Sequence, residues 1–133
     1  MLGWVEDIER ATLDNTTFRK VLFTGEHTQL TVMRLAQGED IGREVHQDHD
    51  QFLRLEQGEG RVELGTTEDA VEERHDVRAD WAIIVPAGIW HNVVNAGADE
   101  VKLYSLYSPP EHPPNTVHRT KADAEAAERA HRS

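Results

Sequence analysis

The chain has 133 residues, of which 38% are hydrophobic and 29% charged, enough for one domain around one core and too apolar for a disordered polymer. A formal net charge of −11 excludes nucleic acid and anionic membrane surfaces as partners, since both repel a chain of like sign. There is no cysteine, which rules out disulfides and thiolate metal sites.

Residues 1–17 are an N-terminal edge segment in which Trp4, Val5, Ile8 and Leu13 suit either an edge strand or a short helix. Residues 18–23 are β-branched and aromatic and stop at Thr24-Gly25, which predicts a strand. Residues 30–35 alternate in part and end before Gln37-Gly38. Residues 52–55 run into Gln57-Gly58-Glu59-Gly60, and 61–64 then alternate polar and apolar, a pattern that predicts a hairpin. Residues 81–85 are continuously apolar up to Pro86-Ala87-Gly88, as expected of a strand buried on both faces. Val93-Val94 and residues 101–107 supply the last strands. Short strands with regular turns and no helical period predict an all-β sandwich or barrel over residues 18–108. Phe52, Trp81, Ile83, Val85 and Trp90 are its expected core. Tyr104 and Tyr107 are expected on one face of the last strand, lining a pocket if inward and meeting a partner subunit if outward.

Residues 109–133 read differently. Ser108-Pro109-Pro110-Glu111-His112-Pro113-Pro114 cannot be an interior strand, because proline removes backbone donors. Thr120 to Asp123 resembles a capped helix start before the alanine-rich residues 124–129. This helix has almost no large apolar face, so a loosely docked tail is expected. His112 and His118 flank it and are read as surface residues, with a place over a barrel mouth as the other option.

Serine and cysteine nucleophile motifs are absent, and Gly58-Glu59-Gly60 lies between strands, so it reads as a turn and not a phosphate loop. What remains is the histidine and carboxylate cluster from Glu44 to Gln51, with His91 downstream. Glu44 and His46, two apart, share a face if their segment is a strand. Gln51 begins the next strand after a short turn, within cross-strand reach. His91 follows a sharp turn, with Trp90 on the opposite side. His49 competes with Gln51 but is expected to face solvent. Glu44, His46, Gln51 and His91 are therefore the candidate ligands of one metal ion.

These residues resemble the two motifs of the cupins. The first appears as Gly38, five residues, Glu44, one residue, His46, four residues, Gln51, six residues, Gly58. The second appears as Asp80, five residues, Pro86-Ala87-Gly88, two residues, His91, three residues, Asn95. Glu44 stands where the family has its first histidine, Gln51 where it has glutamate, and Asp80 where it has a turn glycine. The first two departures nearly exchange, leaving one carboxylate in the set.

The resemblance is to small single-domain cupins, RmlC-like and similar to mannose-6-phosphate isomerase in their barrel. It implies a double-sheet jelly roll, a double-stranded β-helix. It also implies a divalent metal (Fe, Mn, Ni or Zn), a small-molecule ligand or substrate and a homodimer. Two readings of function follow. One is a metal-dependent isomerase, lyase or dioxygenase acting on a sugar or organic acid. The other is a non-catalytic binding or sensing module. No apolar run approaches the roughly 20 residues that span a bilayer, and residues 1–7 lack the order of a signal peptide, so a cytoplasmic location is expected.

Overall fold

Alternating burial along the nine strands of the described residues builds two antiparallel sheets that enclose one core. The coordinates are a computed structural model describing residues 2–132, with side chains through residue 130. The strands are β1 (Arg19–Thr24), β2 (Gln29–Leu35), β3 (Asp50–Gln57), β4 (Glu59–Gly65), β5 (Glu73–Arg78), β6 (Ala82–Val85), β7 (Trp90–Asn95), β8 (Val101–Ser108) and β9 (Val117–His118). The larger sheet has the order β6-β3-β8-β2-β1-β9, and the smaller β5-β4-β7. Helix α1 (Ile8–Leu13) precedes the barrel and α2 (Lys121–Arg132) follows it. This is the all-β barrel expected from strands and turns, in the jelly-roll form that the resemblance to the cupins implies.

Every second residue of the central strands points inward, the period that a pleated strand imposes. Met33, Leu35, Leu53, Leu55, Val93, Val101 and Leu103 are fully buried between the sheets. Truncating one such leucine to alanine costs about 2–5 kcal/mol through lost burial and the cavity left behind.

Four local expectations are corrected. First, β3 and β4 are not a hairpin: β3 pairs with β6 and β8, whereas β4 pairs with β5 and β7. The chain leaves one sheet for the other at Gly58, whose φ of +94° suits glycine. Second, β6 is not buried on both faces. It is an edge strand of the large sheet, so Ile83 and Val85 turn inward while Ile84 is 67% exposed. Of the other expected core residues, Trp81 is exposed and packs over Arg78, and Phe52 and Trp90 are half-buried.

Third, Tyr104 and Tyr107 lie on opposite faces of β8, because three positions along a strand is an odd number of steps. Tyr107 is buried, and Tyr104 faces outward beside Phe52. Fourth, the tail is docked. Ala124 is buried in the core cluster, Lys121 pairs with Asp40, and β9 adds to the edge of β1. Alanine's small side chain lets α2 approach closely without a large apolar face. Of the two options for residues 8–13, the structure takes the helix, with Asp7 Oδ1 accepting a bond from the Arg10 amide at 3.2 Å.

Candidate metal centre

The segment between β2 and β3 runs antiparallel along β7. Its bonds are Ile41 N to Val93 O (3.0 Å), Glu44 N to His91 O (3.0 Å), His91 N to Glu44 O (2.9 Å) and Gly88 N to His46 O (2.9 Å). Glu44 and His91 thus face each other in an isolated bridge, side chains on one face. Before His91 the chain turns at Gly88, which has a φ of +83°. Glu44, His46 and His91 bring one ligand atom each to within 4.8 Å of one another. Glu44 Oε1 lies 3.3 Å from His46 Nε2 and 3.5 Å from His91 Nε2.

Gln51 arrives by a different route from the one its position suggests. It belongs to β3 in the facing sheet, paired in register with Val85 and Tyr107, and is only 2% exposed. Its Nε2 donates to Ser105 Oγ at 3.4 Å, and Ser105 Oγ is 2.9 Å from Thr31 Oγ1. With its nitrogen so engaged, the amide leaves its oxygen free. Tyr107, its register partner, has its ring 5.7 Å from that of His46.

The hydrogen bonds select tautomers. His91 Nδ1 is 3.0 Å from Ile89 O; a carbonyl only accepts, so Nδ1 carries a proton and Nε2 is the nitrogen whose lone pair the neutral ring can offer. His46 Nδ1 lies 3.5 Å from Glu111 Oε2, a carboxylate behind the imidazole of the kind that orients metal-binding histidines. His49 is not solvent-facing as expected. Its Nε2 contacts Pro110 O at 3.0 Å and Glu111 Oε2 at 3.3 Å, outside the group of three.

Glu44 Oε1, His46 Nε2, His91 Nε2 and Gln51 Oε1 are all buried with no hydrogen-bond partner. Native interiors rarely leave such atoms unpaired; other buried atoms, His112 Nε2 and Arg19 Nε among them, share this state, but Glu44, His46 and His91 are the ones that bring theirs together. Burial pushes the Glu44 carboxyl up, but His46 and His91 outweigh it and hold it well below the usual carboxylate range. Burial acts to lower His46, and Glu44 outweighs it with help from Glu111, so His46 is raised.

A cavity of about 450 Å3 opens onto Glu44 and His46. Phe18, Arg19 and Ile41 line it from the barrel, and Glu111, His112, His118 and residues of α2 close over it. His112 is therefore not a surface residue: burial and Arg19 push it down to about 3, and its Nε2 is buried without a partner. His118 is lowered by burial and by Arg19. Tyr107, edge-on to His112 at 5.2 Å, is pushed up to about 12 by burial.

Sequence reading missed Glu111 and Arg19. Nothing local marks Glu111, which sits among prolines whose path over the barrel the sequence does not indicate. Arg19 could be suspected only once its inward register was known, because it shares the buried face of β1 with Val21.

A family described as a cupin domain matches residues 31–107. Protein YrkC of Bacillus subtilis is 56% identical over 125 residues, covering 94% of this chain and 67% of that protein. A protein of Acanthamoeba polyphaga mimivirus is 37% identical over 115 residues, 86% of this chain and 70% of its own. The crystal structure of BH2720 from Bacillus halodurans superposes with a TM-score of 0.91 at 50% identity, covering 92% and 93% of the two chains. KdgF from Halomonas sp. shares the fold alone, with a TM-score of 0.61 at 22% identity over 70% of this chain and 80% of its own.

Proposed function

The chain belongs to the cupin family, and from that premise we propose that it is a metal-dependent enzyme acting on a small oxygenated substrate, a sugar or an organic acid. Glu44, His46 and His91 form the group that can hold a divalent ion, and Gln51 is its proposed fourth ligand. The carrying observation is that the four proposed ligand atoms are buried without a hydrogen-bond partner, Glu44 Oε1 meeting only the two histidine nitrogens at 3.3 and 3.5 Å. Each such atom costs about 1–3 kcal/mol when left unsatisfied, so a cation accepting all four removes a cost and stabilises the fold. Two nitrogens and two oxygens with one carboxylate suit Fe(II), Mn(II), Ni(II) or Zn(II). Such an ion, when bound, polarises a carbonyl or enediol oxygen or, if iron, supplies redox chemistry with O2.

The chain's own groups do the rest. Glu111 orients His46 through Nδ1. The neutral His112 imidazole, with a free Nε2 over the cavity, offers a hydrogen-bonding and proton-transfer site to bound substrate. The cavity of about 450 Å3 is sized for a small molecule, and α2 and the proline segment exclude bulk water from one side. The test is metal content by mass spectrometry after purification without added metal. Wild type is expected to carry roughly one ion per chain, with Glu44→Ala and His46→Ala each losing most of it; unchanged content in both variants overturns the site.

One observation favours a second reading, a non-catalytic sensor. The neutral amide of Gln51 stands where a carboxylate would bind metal more strongly. Thermal stabilisation by sugars or acids that survives full chelation supports binding without metal chemistry.

A further inference from the structure

Arg19 is a buried cation with no carboxylate counter-charge among the described residues. It opens β1 on the inward face, is only 7% exposed, and lines the same cavity as Glu44 and His46. Its Nε is buried without a partner. Its Nη1 reaches His118 Nδ1 at 3.5 Å, and because a guanidinium only donates, that nitrogen must accept. The guanidinium also stands 5.4 Å over the Phe18 ring. Among the described residues no ion pair joins Arg19 to a carboxylate.

The acids near the cavity are otherwise placed. Glu44 faces His46 and His91, Glu111 faces His46 and His49, and Glu125 and Glu128 are exposed on α2 at the rim. Lys121, the other cation on the wall, is paired with Asp40. An arginine withdrawn from water without a partner is costly, and proteins keep one where an anion completes it.

We propose that Arg19 is the anion-binding end of the cavity, and that the ligand is a small organic acid whose carboxylate sits on the Arg19 guanidinium while its other end faces Glu44 and His46. This rests on the metal-site reading and narrows its substrate class to organic acids, setting neutral sugars aside. A carboxylate fits better than a phosphate dianion. Among the described residues the cavity offers one arginine or lysine without a carboxylate partner, and Glu44 and Glu111 on its wall repel additional negative charge. The planar fork of arginine also matches the two oxygens of a carboxylate.

Calorimetry with glycolate, its neutral amide and inorganic phosphate tests this on the metal-loaded and on the chelator-stripped full chain. Glycolate, a monoanion, is expected to bind both forms, more tightly with metal, and the amide to bind at least about tenfold more weakly. Arg19→Met is expected to weaken glycolate by about tenfold or more in both forms while leaving metal content unchanged, with Arg19→Lys in between. The stripped protein isolates Arg19 from direct coordination, so absence of metal in wild type counts against the metal reading without affecting this arm. Glycolate affinity in stripped Arg19→Met within about threefold of wild type overturns the proposal. So does an amide that binds as well as glycolate to wild type, a comparison independent of how the variant folds. Phosphate binding more tightly than glycolate overturns the carboxylate assignment.

Discussion

The contact between Glu111 Oε2 and His46 Nδ1, 3.5 Å long, shows how one residue from the tail can govern another in the barrel. A carboxylate behind an imidazole fixes ring orientation and raises the basicity of the far nitrogen. Glu111→Gln is therefore expected to weaken metal binding by about 10–100-fold, read by competition with a chelator; unchanged affinity would mean that His46 is oriented by packing alone. Gln51 makes the complementary case. Gln51→Glu restores a second carboxylate and is expected to tighten metal, whereas Gln51→Leu loosens it by about tenfold or more. Equal affinity in the two variants would remove Gln51 from the ligand set. Asn95, quoted from the second motif, has a structural task. Its Nδ2 serves the carbonyls of Leu35, Ala36 and Asp99 at 2.8–3.1 Å, joining the end of β2 to the loop before β8.

Among the elements, the passage from β3 to β4 carries the architecture. Pairing of β3 with β8 becomes irregular between Leu55 and Gln57, and the chain then crosses between sheets at Gly58. A Cβ there would meet Glu100 O at 2.5 Å, on backbone already at φ +94°. Gly58→Ala is expected to destabilise by about 1–3 kcal/mol in chemical denaturation. An alanine at Gly3, which has nothing within 4 Å, should be neutral and serves as control. The same passage marks the limit of local pattern. Strand positions follow from alternation and turn residues, which are properties of neighbouring positions. Pairing does not, and residues 52–55 and 61–64 look like a hairpin because a short glycine turn serves both a hairpin and a corner between sheets. The apolar run at 81–85 misleads for a related reason: burial on both faces requires a covering layer, and at the sheet edge the outer face of β6 has none within the described chain.

For the molecule as a whole, closing the tail over the barrel ties stability to pH through His112. Burial and Arg19 push this group from its ordinary 6.5 down to about 3, so the unfolded chain takes up a proton there before the folded one does. Its contribution to stability is full above about pH 6.5 and is lost as pH falls toward about 3. His46, raised instead, contributes with the opposite sign, so the readout is the difference between proteins. His112→Asn is expected to flatten the fall in denaturation midpoint between about pH 7 and pH 4 relative to wild type; parallel profiles would mean that His112 is protonated without cost in the folded chain. The sequence alone determined an all-β sandwich or barrel, the places of most of its strands and, through the resemblance to the cupin motifs, the jelly roll and the likeness of Glu44, His46 and His91 to a metal-binding set, because turns, alternation and motif spacing are written in short range; β5, exposed at all but Val77, carried no such signal. Only the tertiary structure decided that Gln51 comes from the facing sheet, that Glu111 stands behind His46, and that Arg19 meets His118 from 99 positions away. Contact and burial depend on which distant segment packs against a residue, and no local pattern carries that information.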